Sequence, residues 1–217
     1  FGTNIVIDTI TKADLGQRPF RLTGQYDAYL AHSIIVATGA SPRFLQVPGE
    51  VKYTGRGVSY CGTCDGWFFK DKDVIVVGGG DSALEEALFL TRYARKVTIV
   101  HRRDELRAGP ALQKRAMDND KIDFIWNAVV TEIIGVDSVQ AVKLKNTKNG
   151  QEWQHETEGV FVFIGHIPNT ELFKGQLDID NHGYLVIDGR MATSTAGVWA
   201  AGEVADSVFR QVITSAG

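Results

Sequence analysis

The hydrophobic pattern changes register along the chain, and the changes divide it into three blocks. From about Val51 to Gly165 short apolar runs alternate with amphipathic stretches: "DVIVVG", "SALEEALFLTRYA", "KVTIVH", a helical stretch around "PALQKRAM", then "DFIWNAVVTEII". Runs of this length predict strands and the amphipathic stretches predict helices, and strict alternation of the two predicts an α/β fold with a parallel sheet and crossover helices. Two further strands, "VQAVKLKN" and "QEWQHETE", meet across "TKNG", where Asn149-Gly150 suits a hairpin turn. Before this block, "TNIVIDTI" and "HSIIVATGA" read as strands, and Pro42, Pro48 and Gly49 punctuate a linker. After it come "YLVI", "GVWAAGEV" and the closing "RQVITSAG", which reads as the first turns of a helix.

Composition narrows the function classes. A length of 217 residues with 44% hydrophobic content supplies a core for one large domain or two small ones. The net charge of −3, with basic residues scattered, gives no electrostatic footprint for nucleic acid or an anionic membrane. No apolar run reaches the roughly 20 residues of a membrane span, and nothing at Phe1 reads as a signal segment, so the expected location is cytoplasmic. The opening at Phe1 without methionine and the close at "RQVITSAG" read as the ends of a fragment.

The middle block carries the strongest constellation. In "VIVVGGGDSALEEAL", Gly78, Gly80 and Ala83 stand in G-x-G-x-x-A order between an apolar strand and an amphipathic helix. The first glycine permits a tight turn, the second lets a pyrophosphate approach the backbone, and the small third residue lets helix and strand pack closely. Asp81 and Ser82 complete the loop at the helix N-terminus that faces the phosphates. The plainer alternative is a glycine-rich turn without a ligand. At the end of the next strand, where an NAD site places a carboxylate, the chain has His101, Arg102 and Arg103, with Arg107 one helical turn further on. Guanidinium groups bind a 2′-phosphate that a carboxylate would repel, so the expected coenzyme is NADPH. A solvated basic cluster neutralised by Asp104 and Glu105 is the competing reading.

The chain has two cysteines, Cys61 and Cys64, in "YCGTCDGWFF". A C-x-x-C pair at the start of a helical turn can close a small disulfide and lower one thiol's pKa, which makes it a redox dithiol. Zinc would need two further ligands, and no histidine has a companion at ligand spacing; a pair of inert packed thiols is the other alternative. Asp65, directly after the pair, is placed either to give a proton to a leaving thiolate or to cap the following turn. NADPH delivers a hydride whereas a disulfide opens in thiolate steps, so a flavin between them is chemically useful.

The runs "GRGVSYCGTCDGWFF", "VIVVGGGDSALEEALFLTRYARKVTIVHRRDELRA", "FVFIGHIPNT" and "GVWAAGEVADSVFRQVITSAG" together resemble the bacterial low-molecular-weight thioredoxin reductases in order and spacing, over essentially the whole chain. The resemblance implies two dinucleotide-binding, Rossmann-like domains: an NADPH domain over 45–166 that carries the dithiol, inserted into an FAD domain built from 1–44 and 167–217. It implies a homodimeric enzyme that passes electrons from NADPH through FAD to the dithiol and on to thioredoxin. Cys64 would take electrons from the flavin, Cys61 would attack the thioredoxin disulfide, and Asp65 would be the acid. Arg102, Arg103 and Arg107 would hold the 2′-phosphate, and Gly165 and His166 would line the nicotinamide nucleotide. Thr38, Gly39, Gly202 and Glu203 would contact FAD, with Arg210, Gln211 and Val212 beside its ring.

The resemblance also implies rotation of one domain against the other about linkers near Pro42 to Gly49 and Gly165 to Asn169. Two departures accompany it: Glu203 stands where the family has aspartate, and the family's first strand and FAD glycine loop would precede Phe1, so the chain alone is expected to hold FAD weakly. The flavoprotein subunit of alkyl hydroperoxide reductase, and a truncated protein that binds NADPH or thioredoxin without turnover, are the other readings.

Overall fold

The computed structural model describes residues 2–208 and 212–216. Strands β1 (Ile10–Asp14), β2 (Phe20–Gly24), β3 (Ala28–Ala31), β4 (Ile34–Val36) and β5 (Ala40–Pro42) come first. They are followed by α1 (Glu50–Tyr53), β6 (Val58–Ser59), α2 (Gly62–Asp65), β7 (Asp73–Gly78), α3 (Asp81–Leu90), β8 (Lys96–His101) and α4 (Pro110–Met117). Next are β9 (Ile122–Trp126), β10 (Ala128–Gly135), β11 (Val139–Asn146), β12 (Glu152–Glu156) and β13 (Gly159–Phe163), and then β14 (His166–Pro168), β15 (Val198–Ala200) and α5 (Val212–Ala216). The chain divides into two compact units, one of residues 42–165 and the other of residues 1–41 with 166–217.

The continuous unit is built on a five-stranded parallel sheet in the order β6-β13-β7-β8-β9. Its central strands read as unbroken apolar runs because both faces are covered. Along β7, Val74 and Val76 face the buried side of α3 (Ala83, Leu84, Ala87 and Leu90), while Ile75 and Val77 face Val130, Ile133, Val142 and Leu144 of a second, antiparallel sheet, β10-β11-β12. The buried α3 positions recur at helical spacing, so one stripe meets the sheet and the opposite face stays polar. Truncating Leu84 or Leu90, both fully buried, would cost about 2–5 kcal/mol.

The stretch 123–134 divides rather than forming one strand. Asn127 has φ 55°, a left-handed conformation that asparagine tolerates, and the chain turns there from the parallel sheet into the antiparallel one.

In the other unit, β1-β2-β3 form an antiparallel sheet, and β15 lies parallel to β4. Ala13, Phe20, Val36, Phe173, Leu177, Leu185, Val198 and Val204 make its core. The expected strand over 3–10 is not formed: β1 begins at Ile10, and Ile5, Val6 and Ile7 are exposed. Residues 184–187 contribute only an isolated bridge between Ile179 and Leu185. Arg210 and Gln211 lie outside the described residues, and Val212 opens α5. Among the described residues no helix is long and apolar enough to cross a membrane.

Candidate active site

Cys61 and Cys64 are joined in a disulfide, with Cα atoms 5.3 Å apart. Cys61 has extended backbone and caps α2, its Sγ accepting the Cys64 N–H at 3.2 Å. A donor fixed on one sulfur favours its thiolate once the bond is opened. In this disulfide state Cys64 is the exposed member and Cys61 the partly covered one.

Ser59, buried at the end of β6, ties the pair to its neighbouring acid. Its Oγ donates to Asp65 Oδ2 at 2.6 Å and accepts the Cys61 N–H at 3.1 Å. Asp65 is thereby held by a side chain from the sheet beside the cysteine it follows in sequence.

Beneath α2 lies Glu86 of α3. A Cβ added at Gly62 would collide with Glu86 Oε2, so the carboxylate packs directly on the backbone between the cysteines. Burial raises the Glu86 pKa, the N–H groups of Gly62 and Thr63 pull it down, and Glu85 adds to the rise. On the outer side, Trp67 and Phe68 are 63% and 70% exposed, an apolar pair beside the disulfide. Trp67 is steadied edge-on by Tyr93, with ring centroids 5.8 Å apart.

The glycine loop sits at the opposite end of α3. Gly78 has φ 154°, and any Cβ there would collide with the Phe163 carbonyl and with Ala83 Cβ, which explains why the loop needs glycine at its start and a small residue five positions on. At Gly80, the α3 N-cap, a Cβ would meet nothing nearer than Arg107 Nη2 at 3.9 Å. The backbone there is bare, as close approach of a pyrophosphate requires. The Gly79 carbonyl accepts the N–H groups of Arg107 and Ala108 at 2.7 and 3.2 Å, and Asp81 Oδ1 accepts that of Gly109 at 2.7 Å. These bonds clasp the arginine-bearing loop to the glycine loop. Ser82 is exposed in the first turn of α3.

Arg102, Arg103 and Arg107 are exposed and enter none of the ion pairs found among the described residues. Asp104, which could have neutralised them, is paired with Lys148 Nζ at 2.5 Å, and that lysine lowers its pKa. Thr147 on the same hairpin donates to the Arg102 carbonyl at 3.1 Å, and the Asn127 N–H bonds the Arg103 carbonyl at 3.2 Å. His101 is buried beneath the loop, where a Cβ at Gly79 would strike its ring. Burial, with Arg107 and Arg102 adding, lowers its pKa, so it is neutral at pH 7. Gly165 follows β13, is exposed, has φ 106°, and accepts the Arg43 N–H at 2.9 Å.

In the other unit, Thr38 and Gly39 follow the C-terminal end of β4, and Gly202 and Glu203 follow that of β15, its parallel neighbour. Carboxyl ends of adjacent parallel strands are where α/β sheets hold ligands. Thr38 Oγ1 donates to the Asn169 carbonyl at 2.7 Å and Asn169 Nδ2 donates to the Thr38 carbonyl at 2.8 Å, fixing the turn. His166 begins β14 in this unit and is half-buried.

Ser59 and Glu86 were not singled out by sequence reasoning. Ser59 carries no motif. Glu86 had a faint signal, a carboxylate three residues after Ala83 and four before Leu90 and so at the edge of the apolar stripe.

The pyridine nucleotide-disulphide oxidoreductase family model matches residues 2–217. The chain belongs to that family. It is 47% identical to a thioredoxin reductase of Peptoclostridium acidaminophilum, over 99% of this chain and 70% of that protein. It is 49% identical to a thioredoxin reductase of Rickettsia conorii, over 100% of this chain and 71% of that protein. Among solved structures, the thioredoxin reductase of Streptococcus pyogenes superposes with a TM-score of 0.81 at 47% identity, covering 96% of this chain and 68% of that one. The Giardia duodenalis thioredoxin reductase superposes with 0.83 at 38% identity, covering 100% and 72%. The α/β architecture, with its parallel sheet, is that of these enzymes, and the membership makes the chain an oxidoreductase with a redox-active disulfide.

Proposed function

We propose that this protein is an NADPH-dependent flavoprotein disulfide reductase whose Cys61–Cys64 pair reduces thioredoxin. The observation that carries the reading is the placement of a surface disulfide and an arginine-lined glycine loop on one helix: α2 rests on the body of α3, and the nucleotide loop forms its N-terminus. Unpaired arginines beside a bare Gly80 fit NADPH, and the paired strand ends at Thr38–Gly39 and Gly202–Glu203 fit a second dinucleotide, FAD. Bound NADPH and FAD supply a hydride and a carrier that delivers its two electrons to a sulfur.

The chain's own residues do the rest. Opening the disulfide to one thiol and one thiolate consumes two electrons and one proton. The Cys64 N–H steadies the Cys61 thiolate, and a thiolate of the pair attacks the partner's disulfide, forming a mixed disulfide and expelling a partner thiolate. Asp65, oriented by Ser59, gives that sulfur its proton. The second cysteine then attacks the mixed disulfide, releases the reduced partner and restores Cys61–Cys64.

Trp67 and Phe68 supply an apolar landing surface for a small protein rather than for a polar low-molecular-weight disulfide. The full reading includes a homodimer, checked by light scattering. Turnover tests the function: the FAD-loaded protein should oxidise NADPH only when thioredoxin disulfide is present. Equal turnover with a small disulfide in place of thioredoxin would remove the protein partner from the reading.

A further inference from the structure

The Glu86 carboxylate has no place in the steps above, yet it packs directly on the backbone between the two cysteines. Its Oε2 atom makes no hydrogen bond, one of two such buried side-chain atoms among the described residues. Glu86 as a whole is half-buried, and the N–H groups of Gly62 and Thr63 act on its carboxylate. A carboxylate with one oxygen sealed from water is still costly to keep charged, so its proton affinity responds to any new charge nearby. The disulfide is neutral, whereas the opened pair carries a thiolate, and α2 places that charge one residue from the Gly62 backbone on which Glu86 rests. We infer that Glu86 is a positioning residue proton-coupled to the dithiol: it takes up a proton as the disulfide opens and thereby lets one sulfur remain a thiolate.

The inference rests on the redox reading of Cys61–Cys64, and the step balances. NADPH gives two electrons and one proton, one proton comes from water, and the disulfide becomes one thiol and one thiolate while the Glu86 carboxylate becomes a carboxyl. The partner disulfide then meets a nucleophile already ionised. The proton on Glu86 leaves when the pair closes again.

Other groups around Glu86 do not supply the same coupling. On its own helix Glu85 lines a surface groove with Leu88, Phe89, Arg92 and, from α4, Arg115. On α2 Asp65 is engaged by Ser59, and Thr63 offers a hydroxyl 3.3 Å from Cys61 Sγ. From β7 and β13, the apolar Val74, Val76 and Phe161 pack with the buried face of α3 and bring no charge. The raised Glu86 pKa agrees with this setting but is not its basis.

The test uses the FAD-loaded protein reduced anaerobically. Reduced-minus-oxidised infrared spectra of the wild type should gain a protonated-carboxyl band, which Glu86→Gln abolishes and Glu85→Gln leaves. In the same preparations, the wild type should take up about one more proton from the medium per disulfide opened by NADPH than Glu86→Gln does, read with a pH indicator. Glutamine stands in for the protonated carboxyl, so alkylation of the opened pair by iodoacetamide at pH 8 should stay near wild type in Glu86→Gln. An absent carboxyl band in the wild type, or equal proton uptake by wild type and Glu86→Gln, would overturn the inference. Should Glu86→Gln not fold, Glu86→Asp should shift the band in frequency, and an unshifted band would equally overturn it. Failure of NADPH to open the disulfide in the wild type would instead strike the functional reading itself.

Discussion

Ser59 Oγ donates a 2.6 Å hydrogen bond to Asp65 Oδ2 while accepting the Cys61 N–H, so one buried hydroxyl sets both the acid and the backbone of the first cysteine. Ser59→Ala leaves the carboxylate unoriented and strands the Cys61 N–H. Stability should fall by about 1–3 kcal/mol, the cost of an unsatisfied buried donor. Thioredoxin reduction should fall with it, less than the roughly 100-fold or greater loss expected for Asp65→Asn, which removes the acid itself. Steady-state rates and thermal melts of both variants check this ordering.

The arginine cluster predicts coenzyme choice. Arg102 and Arg103 are unpaired because Lys148 already holds Asp104. A charge-assisted contact is worth about 1.5–3 kcal/mol, so replacing both with glutamine should weaken NADPH binding by about 2–5 kcal/mol. NADH binding should hardly change. Titrations with both coenzymes decide the matter, and equal weakening would assign the arginines to the fold alone.

Gly78 and Gly80 should respond differently to the same change. Gly78→Ala drives a Cβ into the Phe163 carbonyl and Ala83 at a positive φ, and should cost at least about 1–3 kcal/mol of stability. Gly80→Ala meets open space and should leave the melting temperature near wild type, yet weaken NADPH and NADH together because the pyrophosphate loses its approach. Calorimetric melts and binding titrations separate the two effects.

Stability should depend on pH through Glu86. Its folded pKa lies above the unfolded value, so the folded state holds more protons and stability declines as pH rises through that interval. Glu86→Gln should therefore stabilise the protein at pH 8 relative to wild type. The gain should vanish at pH values below the usual glutamate range, and melts across that range give the sign directly.

The parts of the fold that were legible in the sequence are those where one physical requirement dominates. Strands β7 and β8 begin and end where "DVIVVG" and "KVTIVH" do, because a strand covered on both faces needs an unbroken apolar run. The helix between them follows from its stripe. The segment 123–134 was misread because Asn127 bends an otherwise continuous β pattern, and only the φ shows it. The run at Ile5–Ile7 has strand composition but no ladder partner among the described residues, and composition alone does not supply one. At the site, glycines, arginines and cysteines announce themselves because few residue types can do their work. Ser59 and Glu86 act through distances closed by the fold between β6, α2 and α3, and nothing local marks a serine or a glutamate for that role.

The central claim is that NADPH electrons reach the Cys61–Cys64 disulfide. The most direct measurement is an anaerobic NADPH titration of the FAD-loaded protein, followed by alkylation and mass mapping of both cysteines. The account predicts that Cys61 and Cys64 become alkylated in step with the NADPH oxidised, and that Cys61→Ser abolishes thioredoxin reduction while leaving NADPH binding intact. NADPH consumed while the pair remains a disulfide would contradict it.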